Sequence, residues 1–338
     1  MYLNEIGAAV ISTEDGKAKY DAKVKELLAN RQILSWILKR FVPEYADSRI
    51  TDIEHDYIEP GTIQVSKLGV SGAGERIEGV SAEDKSLSEG AVYYDIMFHA
   101  RCPVKANSKV KSRKLSGNPG QEAADKEEKK QVGLYINIEA QNSYYPGYPL
   151  EMRGVYYAAR RLTAQLREVR PDTNYGALQK VYSIWLCMGN VPDREANTVS
   201  IYAIDKYDTI GYIEQEPEIY DLLSVIMLRI NDRKEPEDRT LAMLRTLFSN
   251  RIEKKQKLDE LRKLGIRVDR ELAKGVDTMC NLSELIERQG IEKGIEQGAE
   301  RAKKKITRRL LCEGMSYEQI ADVLEASVAQ IKAWEREL

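Results

Sequence analysis

The segment from Val132 to Gly189 limits the possible folds more than any other part of the sequence. It opens with a mostly apolar run that ends at Gln141 and continues with the amphipathic pattern PLEMRGVYYAARRLTAQLREV. It closes with a second apolar run, KVYSIWLCMG. A helix between two strands of the buried type is characteristic of proteins in which helices cover a sheet. We therefore expect an α/β fold.

The flanking segments extend this pattern in both directions. Apolar residues recur at helical spacing between Tyr20 and Tyr45, which predicts one or two helices that stop at Pro43. RITDIEHDYIEP, AVYYDIMFHARC and TVSIYAIDKY are typical of strands, whereas EIYDLLSVIMLRIN is typical of an apolar helix. The expected order is a helix, three strands, a helix, a strand and an extra strand, which together form a mixed sheet.

Two polar segments and a charged C-terminal region divide the chain. Residues 64–90 are rich in Gly and Ser but lack the ending of a phosphate loop, and residues 103–131 are Lys-rich. From about residue 250 the chain is charged and helical to its end. We expect one domain over residues 1–250, with flexible inserts near 64–90 and 103–131, and a charged helical extension over residues 251–338.

The extension contains a repeat of small residues, GIEKGIEQGAERA. Gly290, Gly294 and Gly298 lie along one stripe of a helix, although each Gly costs ~1 kcal/mol relative to Ala at such a position. Such a stripe allows a second helix to approach closely, so we expect a homo-oligomer that assembles through the C-terminal helices. The alternative is a poorly formed helix that links two domains.

The final segment, GMSYEQIADVLEASVAQIKAW, resembles a helix-turn-helix. Met315, Ile320, Ala321, Leu324, Val328 and Ile331 have suitable spacing for a small core. Glu325 stands where the turn usually has Gly, and the second helix offers only Gln330 and Lys332 as base-reading side chains. DNA binding by this tail and a simple packing role both remain open.

Composition argues against several classes of protein. Lys and Arg total 52 against 54 for Asp and Glu, a balance that neither demands nor excludes nucleic acid. The four Cys are isolated, so no zinc or dithiol motif is present, and the absence of a signal peptide favours the cytoplasm. The chain has only two His, which makes a His-rich metal site improbable. No apolar run approaches the ~20 residues of a membrane span, so no membrane partner is expected.

Acidic side chains stand inside two of the predicted strands. Side chains alternate along a strand, so Glu139 and Gln141 share one polar face, and Asp95 is an isolated carboxylate in the preceding strand. If these strands pair, Asp95 and Glu139 lie opposite each other and repel unless a cation separates them. Mg²⁺ takes such oxygen ligands, and the carbonyl of Ala140 is a natural third. The alternative is that each acid lies on a half-exposed sheet surface.

The order of these residues resembles the PD-(D/E)xK nuclease superfamily, in particular its recombination-promoting nuclease and transposase-like branch. The resemblance lies in an acid at Asp95, in E-x-Q from Glu139 to Gln141, and in R-x-x-Y-Y from Arg153 in the next helix. VYSI in the following strand, an acid and a Lys in the first helix and the repeated GIEKG also fit. The resemblance covers roughly residues 18–300. The chain departs from the wider superfamily because a Tyr replaces the Pro before the acid and no Lys follows Glu139.

This resemblance implies a restriction-endonuclease-like core of order αβββαβ, with residues 1–250 as the nuclease domain. It implies an endonuclease that uses Mg²⁺, or Mn²⁺, to hydrolyse double-stranded DNA in recombination or in mobile elements. Asp95, Glu139 and the Ala140 carbonyl would hold the metal. Gln141 would orient the attacking water where relatives have Lys, and Lys25 would supply a positive charge from the first helix.

Basic residues crowd the second insert without an intervening acid. They are Lys105, Lys109, Lys111, Arg113 and Lys114. On a hairpin tip near the metal they would contact DNA phosphates and add salt-dependent affinity without sequence preference. The alternative is a solvated loop.

Two rival functions stay open for the whole chain: a catalytically inactive DNA-binding or interaction protein on the same fold, and an oligomerising scaffold with incidental acids.

Overall fold

The protein forms two compact units in a computed structural model. The structure describes residues 13–65, 83–86, 90–103, 133–141, 144–168 and 175–336. One unit comprises Tyr20–Cys280, and the other comprises Asn281–Leu338 together with residues up to Lys19. The larger unit therefore extends past residue 250, where we predicted the extension to begin. Leu261 and Leu272 belong to its apolar core, so a cut at 250 would remove part of that core.

The larger unit is built on a mixed β-sheet. The strands are β1 (Gln64–Val65), β2 (Glu83–Ser86), β3 (Gly90–Tyr93), β4 (Ile96–Arg101), β5 (Gly133–Gln141), β6 (Lys180–Cys187), β7 (Thr198–Ala203) and β8 (Leu223–Arg229). Six of them form one sheet in the order β1–β4–β5–β6–β8–β7, and β2 pairs with β3 separately. β5, β6 and β8 are parallel, whereas β4 and β7 run antiparallel to their neighbours. The predicted α/β class and mixed sheet are confirmed.

Helices precede, interrupt and follow the strands. They are α1 (Thr13–Leu28), α2 (Arg31–Phe41), α3 (Ile50–Asp52), α4 (Leu150–Glu168), α5 (Arg239–Phe248), α6 (Lys254–Lys263), α7 (Arg270–Cys312), α8 (Tyr317–Val323) and α9 (Val328–Arg336). α1 and α2 are the predicted pair before Pro43. Within the described ranges, none of the helices combines the length and apolarity needed to cross a bilayer.

The two faces of the sheet bury separate apolar clusters. On one face Tyr135, Trp185 and Met227 pack with Tyr157 and Ala158 of α4. On the other face the alternate residues of the same strands, among them Ile136, Ile184 and Ile226, join apolar side chains of α1, α2, α5 and α6 and of the start of α7. The face that carries Glu139 is therefore covered by a helix, as in parallel sheets generally.

Gly154 allows α4 to approach this sheet face closely. A Cβ atom at Gly154 would lie 2.6 Å from Val225 Cγ1, 3.0 Å from Trp185 Nε1 and 3.1 Å from Met227 Cε. We predict that Gly154→Ala lowers the free energy of unfolding by about 1–3 kcal/mol, because the packed sheet has to shift. Gly290→Ala is the matched control, since no described atom lies within 4 Å of its Cβ position. Gly290→Ala should stabilise the helix by up to ~1 kcal/mol. Urea unfolding would measure the free energy of unfolding of both variants.

Two predicted elements are wrong in type. The segment RITDIEHDYIEP is not a strand, because α3 continues as a π-helical turn over Ile53–Tyr57 and only Ile58 bridges to β4. Arg31 holds this turn by donating to the carbonyls of Glu54 and Ile58. The segment EIYDLLSVIMLRIN contains β8 rather than a helix. A short apolar run buried on both faces has no period that separates the two structures.

Two further segments differ in detail from the prediction. AVYYDIMFHARC forms two strands, β3 and β4, which are interrupted at Tyr94 and Asp95. β1, β2 and the first residue of β3, Gly90, lie within the predicted loop 64–90, and the other residues of this loop are outside the described part of the chain. The insert 103–131 likewise lies outside it, apart from Pro103. β4 and β5 pair antiparallel, as expected for two strands joined by this insert.

The smaller unit contains α8 and α9 at the predicted positions. Ile320, Ala321, Leu324 and Ile331 are buried there together with Trp334. The turn between the two helices includes Glu325 at a φ of +48°, the left-handed conformation that Gly adopts at lower cost. The two helices and the turn of the predicted helix-turn-helix are thus present, and the turn forms with Glu325 at the position where Gly is usual.

Candidate metal centre

Asp95 and Glu139 meet at the end of the β4–β5 pair. Ile96 is opposite Ile138 in the antiparallel register, so Asp95 follows next to Glu139. The backbone N–H of Asp95 donates to Glu139 Oε1 at 3.2 Å, and the N–H of Ala140 donates to Asp95 Oδ2 at 3.1 Å. The structure therefore brings together the two acids that the sequence placed in neighbouring strands.

The carbonyl of Ala140 points towards the same side. In a strand the N–H and C=O of one residue point to the same edge, and those of the next residue point to the other. The Ala140 N–H bonds Asp95, whereas the Gln141 carbonyl accepts from Met188 N on the β6 side. The Ala140 carbonyl is thus directed to the edge where Asp95 lies, as the expected ligand set requires.

Lys25 joins this centre from α1. Its Nζ lies 2.8 Å from Asp95 Oδ1 and 2.8 Å from Asp21 Oδ2, which is one helical turn earlier. The Lys25 side chain is only 3% exposed. A buried ammonium is stable when carboxylates neutralise it, and the two acids raise the pKa of Lys25 against the effect of burial. The role expected of Lys25 required the first helix to pack near the strand ends, and α1 does so.

Glu139 is the most deeply buried acid of the centre, at 4% exposure. Burial, and then the negative charge of Asp95, raise the pKa of the Glu139 carboxyl well above its ordinary value. Burial likewise raises the pKa of Asp95, and Lys25 partly offsets this rise. Asn137 donates from Nδ2 to Glu139 Oε1 at 3.3 Å, while its own Oδ1 is buried without a hydrogen bond to the described residues. Among the described residues, the Glu139 carboxylate forms no ion pair of the kind that joins Asp95 to Lys25.

We predict a pH dependence of stability from the raised pKa of Glu139. Between its ordinary pKa of 4.5 and its folded pKa, the unfolded chain releases the Glu139 proton while the folded protein retains it. The free energy of unfolding should therefore fall as the pH rises through this interval, in the absence of divalent metal. Glu139→Gln removes this contribution, so its decline should be shallower than that of the wild type. Urea unfolding from pH 4.5 to 8 in EDTA measures both slopes, and equal slopes would contradict the prediction.

Arg153 of α4 brings a second cation near Glu139. Its Nη2 donates to the Tyr157 hydroxyl at 2.7 Å, and its guanidinium carbon lies 4.9 Å from the Tyr157 ring and 5.4 Å from the Trp185 ring. Its positive charge acts to lower the pKa of Glu139. Tyr157 in turn accepts at its carbonyl from the Tyr94 hydroxyl at 3.3 Å. The sequence analysis used Arg153 and Tyr157 only as parts of the pattern R-x-x-Y-Y. It did not predict that Arg153 lies near Glu139.

Other predicted site residues are located less directly. Gln141 ends β5 two residues after Glu139 and is half-buried on the same face by strand alternation. Tyr94, which stands where the wider superfamily has Pro, is fully buried and packs edge-on against Tyr157. The basic residues Lys105, Lys109, Lys111, Arg113 and Lys114 lie outside the described residues.

The donor set suits a hard divalent cation. The described residues contain no group of three or more His, Cys, Asp or Glu side chains that could hold a metal ion. The expected site needs two carboxylates and a carbonyl, because Mg²⁺ usually keeps several waters. The negative charge of Asp95 raises the pKa of Glu139, and a cation between the two carboxylates would relieve that repulsion. In this structure the Lys25 ammonium pairs with one carboxylate oxygen of Asp95, Oδ1.

Comparisons with protein-family models, with curated proteins and with solved structures found no match for the chain. The assignment of a function therefore depends on the residues and contacts described above.

Proposed function

We propose that this protein is a divalent-metal-dependent DNA endonuclease built on a restriction-endonuclease-like core of order αβββαβ. The observation that carries the proposal is the contact between the buried Glu139 and the partly exposed Asp95, with the Ala140 carbonyl beside them and Lys25 paired with Asp95. Burying Glu139 next to a second carboxylate costs folding free energy, and a cation shared by the two acids would offset that cost.

The topology around the pair supports the same core. β1, β4 and β5 form an antiparallel succession, α4 follows β5, and β6 returns parallel to β5. This succession after α1 corresponds to αβββαβ, with the acids at the point where β4 begins and β5 ends. The centre therefore lies at one end of two inner strands of the sheet, and its exposed part is the Asp95 side chain, at 15% exposure.

Each residue has a role in phosphodiester hydrolysis. Asp95, Glu139 and the Ala140 carbonyl would hold Mg²⁺ or Mn²⁺, which when bound lowers the pKa of a coordinated water and neutralises phosphate charge. Gln141 orients the attacking water by a hydrogen bond. Lys25 provides the positive charge that Gln141 lacks, because its Nζ already contacts Asp95. Arg153 of α4, whose charge already acts on Glu139, would help to stabilise negative charge that develops on the phosphate.

A plasmid-nicking assay tests the activity. Supercoiled plasmid would be incubated with the full chain and with Mg²⁺, Mn²⁺ or Ca²⁺, beside the Glu139→Gln variant. Nicking with Mg²⁺ or Mn²⁺ that is lost in the variant supports the proposal. If the wild type binds DNA but cuts with none of the three metals, the protein is the inactive DNA-binding member of the same fold that we consider as the alternative.

The partners follow from the same proposal. Double-stranded DNA would be the substrate, and the basic segment from Lys105 to Lys114 would contact its phosphates, which predicts a strong dependence of affinity on salt. We place this activity in the cytoplasm and connect it with recombination or mobile elements. The smaller unit could add DNA contacts, but the described residues of α9 include few basic side chains for that purpose.

We also propose that α7 mediates a homo-oligomer. Gly290, Gly294 and Gly298 have open space around them, and Ile291 and Ile295 are 57% and 68% exposed along the same helix. We predict that replacing the three Gly by Leu reduces the oligomeric state, although helicity rises. Light scattering would measure the mass, with the three Gly replaced by Ala as the control that keeps the stripe small. An unchanged mass in the Leu variant would remove α7 from the interface.

A further inference from the structure

Residues 198–219 form an exposed segment that is rich in apolar side chains. The segment comprises β7, an arm over residues 204–216 and a short turn. All of its residues except Ser200 and Lys206 are exposed. Nine of them are large apolar residues, with exposures from 36% at Val199 to 97% at Ile210. So many exposed apolar side chains in one short segment indicate an interaction surface.

The apolar area of this segment is large enough for a subunit interface. An exposed side chain of this size presents ~200 Å², so the nine residues at their partial exposures present about 1,000 Å². The largest apolar patch of a typical monomer is about 300–600 Å². A stable dimer buries about 800 Å² on each partner. The segment alone therefore supplies the area that one subunit contributes to such an interface.

The backbone of β7 is open to a further strand. Within the described residues, β7 is the last strand of its sheet and pairs only with β8. Alternate residues of β7 therefore direct their N–H and C=O groups to the open edge. Edge strands usually prevent such pairing with a charged residue, a Pro or a bulge. β7 reads TVSIYA, and its register with β8 is continuous, so it has none of these features.

The two faces of β7 match the faces of a second copy of this strand. Val199 and Ile201 lie opposite Leu228 and Ile226, on the face of the larger apolar cluster, but they remain 36% and 49% exposed. The alternate residues of β7 carry hydroxyl groups on the other face. Two identical strands that pair antiparallel about a two-fold axis place each face beside its own equivalent. The apolar face would thus extend an apolar face.

The arm that follows β7 keeps its shape through its own contacts. Lys206 Nζ donates to the carbonyl of Ile213 at 2.6 Å, pairs with Asp208 and lies 5.4 Å from the centre of the Tyr212 ring. Gly211 turns the arm with a φ of +69°. The apolar side chains of the arm are therefore held in place before any partner binds, which lowers the entropy cost of binding.

The charge of the segment narrows the kind of partner. Residues 198–219 include five acidic residues and one Lys, and all of these charges follow β7. They would repel nucleic acid and an anionic membrane. Antiparallel pairing of β7 with its copy starts the two acidic arms at opposite ends of a six-residue strand, about 20 Å apart. This separation exceeds two Debye lengths of about 8 Å, so the arms would not repel each other strongly.

We propose that β7 pairs antiparallel with β7 of a second copy of this chain, so that the two sheets join into one. The arm of each copy packs against the exposed apolar face of the joined strands. This interface does not depend on the proposed nuclease function. It also differs from the contact proposed for α7, because β7 belongs to Tyr20–Cys280 and the Gly stripe belongs to the other unit.

Light scattering tests the interface on the full chain with Gly290, Gly294 and Gly298 replaced by Leu, which removes the contact proposed for α7. This chain should remain a dimer. Adding Ile201→Lys should raise the dissociation constant of the dimer at least ~100-fold, because the two-fold axis brings both new charges into one apolar strand pair. Val323→Lys is the matched control, since Val323 is an exposed Val on α8 at 59% exposure. It should leave the mass unchanged.

Hydrogen exchange on the wild-type chain locates the contact. The amides of β7 should exchange more slowly above the dissociation constant than below it, because the second copy accepts hydrogen bonds from the open edge. If Ile201→Lys does not fold, Ile210→Lys replaces it, since the almost fully exposed Ile210 contributes nothing to the core and its loss should weaken the dimer at least ~10-fold.

Three results would overturn the proposal. The first is a monomeric chain after the three Gly are replaced by Leu, which would leave the surface for a different protein. The second is an unchanged dissociation constant in the folded Ile201→Lys variant or, where that variant does not fold, in Ile210→Lys. The third is exchange of the β7 amides at a rate that does not depend on protein concentration.

Discussion

Glu139→Gln and Asp95→Asn should each reduce Mg²⁺-dependent DNA cleavage by about 10³-fold or more. In the proposed mechanism a metal held by these acids would contribute several kcal/mol of charge stabilisation in the transition state, and each 1.36 kcal/mol corresponds to a factor of ten in rate. Both substitutions keep the shape of the side chain but remove a charge that the metal needs. The rate of plasmid nicking under single-turnover conditions measures the loss.

The control for this comparison is Glu59→Gln. Glu59 is also next to β4, where it pairs with Arg101 at 3.1 Å, but it lies at the opposite end of that strand and is 30% exposed. It should cut DNA like the wild type. Cleavage at the wild-type rate by either Glu139→Gln or Asp95→Asn would mean that the metal, if one is used, is bound elsewhere.

Lys25→Met should lower the free energy of unfolding by about 3 kcal/mol in the absence of divalent metal. Removing one partner of a buried ion pair leaves the other charge uncompensated, which typically costs about 3–5 kcal/mol. The lower end applies because the Asp95 side chain keeps 15% exposure and Asp21 keeps 32%. Urea unfolding in EDTA measures the loss.

Two comparisons make this result specific to the ion pair. Lys23→Met is the matched control, because Lys23 lies on the same helix and pairs at 2.7 Å with Glu26, which is 64% exposed. It should cost at most about 0.5 kcal/mol. Mg²⁺ should stabilise Lys25→Met more than the wild type, since the metal then supplies the counter-charge that Asp95 has lost. Equal costs for the two Lys variants would show that Lys25 has no special place in the centre.

The meeting of Asp95 and Glu139 could be predicted because it depends on local rules. Alternation fixes which face each acid occupies, and strands joined along the chain usually pair. Lys25 could be proposed only conditionally, because its contact requires α1 to pack near the end of β4. Arg153 was missed as a member of the centre, since its position depends on the close approach that Gly154 allows between α4 and the sheet.

The errors in the fold have a common physical origin. β8 is buried on both faces, so its sequence shows neither the alternation of a half-buried strand nor a helical period. The turn after α3 has apolar residues at positions 50, 53 and 57, which suit a helix as well as an irregular strand. Arg31 holds the helical turn by hydrogen bonds to the carbonyls of Glu54 and Ile58, and the sequence pattern does not reveal such long-range contacts.

Mn²⁺ binding measured by calorimetry tests most directly whether Asp95 and Glu139 share a metal. The titration would be done at pH 7.5 in two buffers of different ionisation enthalpy, so that proton release is measured with affinity. The account predicts a site in the wild type, and it assigns any proton released on binding to Glu139, whose raised pKa falls when the cation arrives. It predicts loss of that site in Asp95→Asn and in Glu139→Gln. A wild type that binds no Mn²⁺, or variants that bind it equally well, would contradict the account.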